Sequence, residues 1–254
     1  MSGITDQIHE LLERTESERN VTILYACESG SRAWGFASPN SDFDIRFLYL
    51  APAEAYFSVF EQPDTIELPI IEELDPGGWD IKKALGLLAK SNGALIEWLH
   101  SPIIYTDQGG FRARWQALSR ETLNPNHLIN HYHGLASQVR KKKLLTEAPT
   151  AKGYLYACRA LLAAQWVQEY RTPPPVAFAD LLELASPDLG ALLRETVDWK
   201  ATADEVASAG RLPELDAYIA QQLDPSVPRP TLPAPSADHV RSVIDAEFKS
   251  LISL

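Results

Sequence analysis

Positive charge is scarce in this chain: 23 Lys and Arg stand against 34 Asp and Glu, a formal net charge of −11 over 254 residues. A protein that holds duplex nucleic acid regardless of sequence needs the opposite balance. Avid duplex binding is therefore not expected, and a nucleic-acid partner would have to meet a local basic patch such as Arg140-Lys141-Lys142-Lys143. Cysteine is also scarce. Cys27 and Cys158 each sit in an apolar run, where a buried free thiol is expected rather than a disulfide. No stretch approaches the roughly 18–20 apolar residues that span a bilayer. The first residues, Met1-Ser2-Gly3-Ile4-Thr5-Asp6, lack the basic and apolar regions of a signal peptide, so a cytoplasmic location is expected. Neither a Gly-x-Gly-x-x-Gly nor a Walker A spacing is present, which argues against a Rossmann or P-loop enzyme. A G-x-S-x-G elbow is missing too, and His131 and His133 have no further Cys or His at ligand spacing, so neither a serine hydrolase nor a zinc site is expected.

What remains is ordinary globular composition, 45% hydrophobic and 22% charged, enough to bury a core. Ile8, Leu11 and Leu12 fall at helical spacing within residues 5–19. Val21 to Cys27 reads as a buried strand, and residues 42–50 begin with the period-two alternation of another. Residues 65–71 and 73–75 suggest two further short strands, and Asp80 to Lys90 a helix with the apolar stripe Ile81, Ala84, Leu85, Leu88. A short helix over Leu95 to Leu99 follows. Beyond about Tyr105 helical periodicity takes over, in segments 127–145, 152–170, 178–183, 188–199 and 236–251, with a proline-rich crossing at Pro225–Pro235. The expectation is an α/β (α+β) domain with a small mixed sheet over residues 1–105, followed by a mainly helical domain over 106–254.

The chemistry concentrates between Glu28 and Asp44. On an extended strand, residues i and i+2 point to the same side, so Asp42 and Asp44 present two carboxylates close together. Two such charges repel unless a cation bridges them. Carboxylate oxygens are what Mg²⁺ takes, with phosphate oxygens completing its shell. Upstream, Gly30 lets the backbone approach a ligand, and the Ser31 hydroxyl with adjacent N–H groups suits phosphate oxygens. Arg32 is an additional candidate phosphate contact. Trp34 and Phe36 are read as packing residues, with Gly35 and Pro39-Asn40 shaping the turn.

The pattern strand–Gly-Ser–loop–Ser-Asp-x-Asp–strand is similar to the signature of the DNA polymerase β-like nucleotidyltransferase superfamily. Within it the chain resembles the RNA ligase-associated nucleotidyltransferase (RlaP) family. The narrower resemblance rests on Gly78-Trp79-Asp80-Ile81-Lys82-Lys83-Ala84-Leu85, on Lys90-Ser91-Asn92 with Glu97-Trp98-Leu99-His100-Ser101-Pro102, and on Lys152-Gly153-Tyr154-Leu155-Tyr156-Ala157-Cys158-Arg159. It implies a polymerase β-like fold, an NTP substrate with ATP the expected donor, and Mg²⁺ or Mn²⁺ as cofactor. It further implies a third catalytic carboxylate beside Asp42 and Asp44. The resemblance favours Asp80, with Asp75 the alternative and Glu67 or Glu73 behind it; Asp80 also suits a helix N-cap. In such enzymes a helical region closes over the nucleotide. Lys152, Tyr154 and Arg159 are the candidates there, and Lys83, after Asp80, is a further nucleotide-binding candidate.

These features lead to an expected nucleotidyltransferase that moves a nucleoside monophosphate to a hydroxyl, by a two-metal reaction releasing pyrophosphate. The family implies RNA as acceptor, in RNA repair. Two alternatives stand beside it: AMP transfer to a protein hydroxyl, as in antitoxin-like relatives, and a non-catalytic module binding nucleotide or a partner.

Overall fold

A computed structural model describes residues 2–202 and 210–253. The chain forms helix α1 (Ser2–Arg19), strand β1 (Thr22–Glu28), a single helical turn α2 (Gly30–Trp34), strand β2 (Phe43–Leu50), α3 (Ala53–Tyr56), β3 (Thr65–Glu67), β4 (Leu74–Asp80), α4 (Ile81–Leu88), α5 (Gly93–His100) and β5 (Ile104–Asp107). Helices follow: α6 (Phe111–Glu121), α7 (Pro125–Val139), α8 (Ala151–Tyr170), α9 (Phe178–Leu181), α10 (Pro187–Thr202), α11 (Pro213–Gln222) and α12 (Ala237–Ile252). This is the mixed α/β architecture expected, with a small five-stranded sheet.

Two compact units result, the first from the described residues of Met1–Ala33, Asp42–Leu123 and Pro235–Leu254, the second from those of Trp34–Ser41 and Asn124–Ala234. In the first unit the strand order is β3-β4-β2-β1-β5. Among the described residues the β2–β4 pair is parallel and the other three pairs are antiparallel. Alternation decides what each side of the sheet meets. Ile23 and Ala26 of β1, Ile45, Phe47 and Tyr49 of β2, Ile66 of β3 and Leu74 of β4 pack against Ile8, Leu11 and Leu12 of α1, forming one buried cluster. Gly78 belongs to that side, because a Cβ there would meet the Phe47 ring at 2.1 Å. Its lack of a side chain leaves room for that ring over β4. The opposite side of β2 and β4 carries Asp44, Arg46, Asp75, Gly77 and Trp79, which the register pairs as Asp44 with Asp75, Arg46 with Gly77, and Leu48 with Trp79.

The sequence placed the end of the strand at Asp75, whereas β4 runs on to Asp80 through Pro76-Gly77-Gly78. Pro and Gly are depleted in strands, so this stretch reads as a turn. Strand β5 was likewise not anticipated; it pairs with β1 and closes that edge of the sheet. In the first unit α12 packs beside α4 and reaches α6: the buried Trp115 donates Nε1–H to Glu247 at 2.8 Å, and the Arg114 guanidinium meets the same carboxylate at 3.0 Å.

The second unit is helical, built on α7 packed along α8. Leu128, Tyr132 and Ala136 of α7 and Leu155, Cys158 and Leu162 of α8 are fully buried. Trp34 and Phe36 pack within this unit as expected. The Trp34 ring lies edge-on to Tyr156 at 4.9 Å, and Phe36 meets Phe178 at 5.5 Å. Both cysteines are buried free thiols. No helix among the described residues is long and apolar enough to cross a membrane.

Candidate active site

The site lies in the first unit, where β1 turns into α2 and β2 begins. Ser29 N–H bonds the Asp44 carbonyl at 2.8 Å, and Asp44 N–H bonds the Glu28 carboxylate at 2.8 Å, so the two strand ends are stitched together there. Gly30 follows with φ +60°, a left-handed conformation, and a Cβ at this position would sit 2.0 Å from Asp44 Oδ2. Any side chain is excluded twice over, by backbone strain and by the carboxylate it would displace. The space that Gly30 leaves open is taken by the Asp44 carboxylate, not left for a ligand. Ser31 is buried beside it. Arg32 arches over the loop, donating Nε–H to the Asp42 carbonyl at 3.2 Å with its guanidinium 3.6 Å from the centre of the Phe43 ring.

Asp42 is exposed and Asp44 half-buried at the start of β2. Across the parallel pairing, Asp75 is the register partner of Asp44. Arg46, two residues after Asp44 and thus on its side of the sheet, joins them: its Nη2 lies 3.0 Å from Asp44 Oδ1 and 2.7 Å from Asp75 Oδ2. Burial raises the Asp44 carboxyl above the usual range; Arg46 opposes this, while the negative charges of Asp75 and Asp42 add to it. Glu28, fully buried behind Asp44, is pushed up to about 7, again chiefly by burial, although hydrogen bonds from the Tyr105 hydroxyl and Asp44 N–H pull the other way.

Asp80 is not part of this group. Five residues beyond Asp75 on the same strand, it lies about 16 Å further along and on the opposite side of the sheet. There it caps α4, accepting from Lys82 N–H at 2.7 Å and from the Tyr56 hydroxyl at 2.7 Å. Lys83 pairs with Asp64 at 3.0 Å in the same neighbourhood, which encloses a separate cavity of about 370 Å³. Of the candidates named on the sequence, the structure therefore brings Gly30, Ser31, Arg32, Asp42, Asp44 and Asp75 together, and leaves Asp80 and Lys83 elsewhere.

The three candidates of α8 belong to the second unit and differ in character. Tyr154 is wholly buried, its hydroxyl accepting from Leu212 N–H at 3.3 Å. Arg159 is buried too, its guanidinium 4.1 Å from the centre of the Trp34 ring. Lys152 is half-buried, with Nζ 5.7 Å from the centre of the Tyr156 ring. Only Lys152 of the three retains surface from which to meet a phosphate.

Among the described residues no three His, Cys, Asp or Glu side chains form a ready metal cage. Mg²⁺ does not require one, since it is commonly held by one or two carboxylates together with substrate phosphates. Asp42 and Asp44, hard oxygen donors whose mutual repulsion is part of the shift at Asp44, fit that role. Two residues at the site were missed on the sequence: Arg46 and Glu28. The first carried a usable signal, being in phase with Asp42 and Asp44 on one strand. Glu28 carried none, because nothing local tells a buried carboxylate from an exposed one.

A small mixed sheet with a Gly-Ser turn facing an Asp-x-Asp strand is the arrangement of the polymerase β-like nucleotidyltransferase class. More narrowly, the chain matches the family described as RlaP, RNA repair pathway DNA polymerase beta family, over residues 4–249, and it belongs to that family. It is also similar to the uncharacterized protein YcgL of Bacillus subtilis (strain 168), with 36% identity over 220 residues, 86% of this chain and 85% of the relative.

Proposed function

We propose that the protein transfers a nucleoside monophosphate, AMP from ATP, to a hydroxyl group of an RNA acceptor, and that Asp42, Asp44 and Asp75 form its catalytic carboxylate set. The observation that carries this reading is the placement of Asp75 as register partner of Asp44, both gripped by Arg46, with Gly30 pressed against the Asp44 carboxylate. Asp75 replaces Asp80 as the third carboxylate because only Asp75 lies on the right side of the sheet.

In this reading the Ser31 hydroxyl and the backbone amides of the turn hold the triphosphate, with Arg32 near the loop that leads to Asp42. Asp42 and Asp44 would hold Mg²⁺ or Mn²⁺, which when bound supplies positive charge to neutralise the triphosphate and the leaving group. Arg46 fixes the rotamers of Asp44 and Asp75, so that both carboxylates are aimed before substrate arrives. The acceptor hydroxyl gives its proton to the Asp75 carboxylate as its oxygen bonds the α-phosphorus. The bond from that phosphorus to the bridging oxygen breaks, and pyrophosphate leaves in line.

The test pairs two substitutions on one strand. With α-³²P-labelled ATP, Mg²⁺ and RNA, Asp75→Asn is expected to lower transfer at least about 1,000-fold, roughly 4 kcal/mol of barrier. Asp80→Asn, which retains an N-capping side chain, is expected to transfer at the wild-type rate. Equal activity of Asp75→Asn and wild type, or loss in Asp80→Asn of a folded protein, overturns the assignment.

A further inference from the structure

The carboxylate side of the sheet does not end at Asp75. From Asp75 along β4 the same side presents Gly77, which has no side chain, and then Trp79. The neighbouring strand β3 adds Glu67 opposite Gly77 and Thr65 opposite Trp79. Trp98 of α5 stacks on Trp79 with ring centres 3.9 Å apart and 27° between planes. Together with Arg46 and Asp75 these residues line an open cavity of about 280 Å³ that begins at the proposed third carboxylate.

Its chemistry is specific. Two stacked indoles at the wall form a ladder to which another flat ring can add. Glu67 is exposed and Thr65 half-exposed, so a carboxylate and a hydroxyl are available to hydrogen-bond the edge of such a ring. Among the described residues Arg46 is the one cation lining the cavity, and Asp44 and Asp75 already neutralise it. A phosphate has nothing there to hold it. The cavity suits an uncharged ring-bearing group, of the size of one nucleoside and too small for a folded segment of polypeptide.

We infer that this cavity is the acceptor subsite and that it takes the terminal nucleoside of a single-stranded RNA, base against Trp79 and terminal ribose hydroxyl at Asp75. The inference rests on the transfer reading above and deepens it. Phosphodiesters further along the strand would lead out of the cavity, away from its carboxylates. Glu67, an acceptor only, favours a base with an exocyclic amino group, so a strand ending in adenosine is preferred over one ending in uridine.

The experiment measures binding of a 5′-fluorescein single-stranded RNA hexamer, ending in adenosine or in uridine, by anisotropy with the full chain. Binding of ATP with Mg²⁺ is measured in parallel by calorimetry. Trp79→Ala is expected to weaken RNA binding by about ten-fold or more, within the range that base–aromatic stacking spans. Trp79→Phe keeps a ring and stays near wild type, which separates loss of stacking from loss of fold. Glu67→Gln reduces the adenosine-over-uridine preference. ATP affinity is unchanged in all three. Unchanged RNA affinity in Trp79→Ala overturns the inference. So does a loss of ATP affinity in a folded Trp79 variant, because the cavity would then belong to the nucleotide. Wild-type protein that ignores RNA and labels a polypeptide or an amino sugar overturns it as well. Failure of the transfer reading looks different: RNA binds through Trp79, but ATP binds equally well, or not at all, in wild type and Asp44→Asn.

Discussion

Gly30 is the residue on which the site turns. With φ +60° and Asp44 Oδ2 where its Cβ would be, it has no tolerated substitute. Gly30→Ala is expected to push the Asp44 carboxylate aside and abolish detectable AMP transfer, while costing roughly 1–3 kcal/mol of stability for the strained backbone. The checks are the labelled-ATP assay beside a denaturant titration; retained transfer would show that the carboxylate position is not what matters. The Asp42 and Asp44 pair was legible because period two is a strong local rule and the preceding Gly-Ser turn gave it meaning. The third carboxylate proposed for the site was not. The stretch Leu74-Asp75-Pro76-Gly77-Gly78-Trp79-Asp80 hides most of a strand behind Pro and Gly, and the family resemblance favoured Asp80 with Asp75 as the alternative. Only the register with β2, a non-local fact, distinguishes the two aspartates.

Elements carry the next level of constraint. The periodic helices α1, α4, α7 and α12 were readable because each buries a continuous apolar face, and α8 because it is a long run of helix formers buried nearly all round. The one-turn α2 and the four-residue β5 are too short for periodicity to show, and pairing with β1 is what makes β5 a strand. Helix α12 joins α6 through Glu247, which accepts from Trp115 and pairs with Arg114. Glu247→Ala removes a charged acceptor from a buried indole and is expected to lower stability by about 1.5–3 kcal/mol, read as a shift in denaturant midpoint with unchanged slope. Helix α7 carries His133, buried with no partner for Nδ1 among the described residues. Burial, aided by the Arg229 charge, lowers its pKa to about 4. The folded pKa therefore lies below that of the unfolded chain. The stability held by neutral His133 is complete above about pH 6.5 and is lost as pH falls toward 4, by up to roughly 3 kcal/mol. His133→Leu is expected to flatten that part of the stability–pH curve; an unaltered curve would contradict the burial argument.

At the scale of the molecule, acidity and family membership pull in different directions, since a chain of net charge −11 belongs to a family described by RNA repair. In the reading proposed above, RNA enters the first unit through a small end-pocket walled by Trp79 and bearing the Glu67 carboxylate, not through a basic groove. The second unit keeps exposed cations at Lys141, Lys142 and Lys143, none ion-paired among the described residues. An end-pocket of that kind predicts modest salt dependence of RNA binding and a strong dependence on the identity of the chain end. The most direct measurement is transfer of label from α-³²P-ATP to a single-stranded RNA with a free 3′ hydroxyl, with Mg²⁺, comparing wild type, Asp44→Asn, Asp75→Asn and Asp80→Asn. Labelled RNA and released pyrophosphate are expected in wild type and Asp80→Asn alone. Label transfer by Asp75→Asn at the wild-type rate, or loss confined to Asp80→Asn, would contradict it.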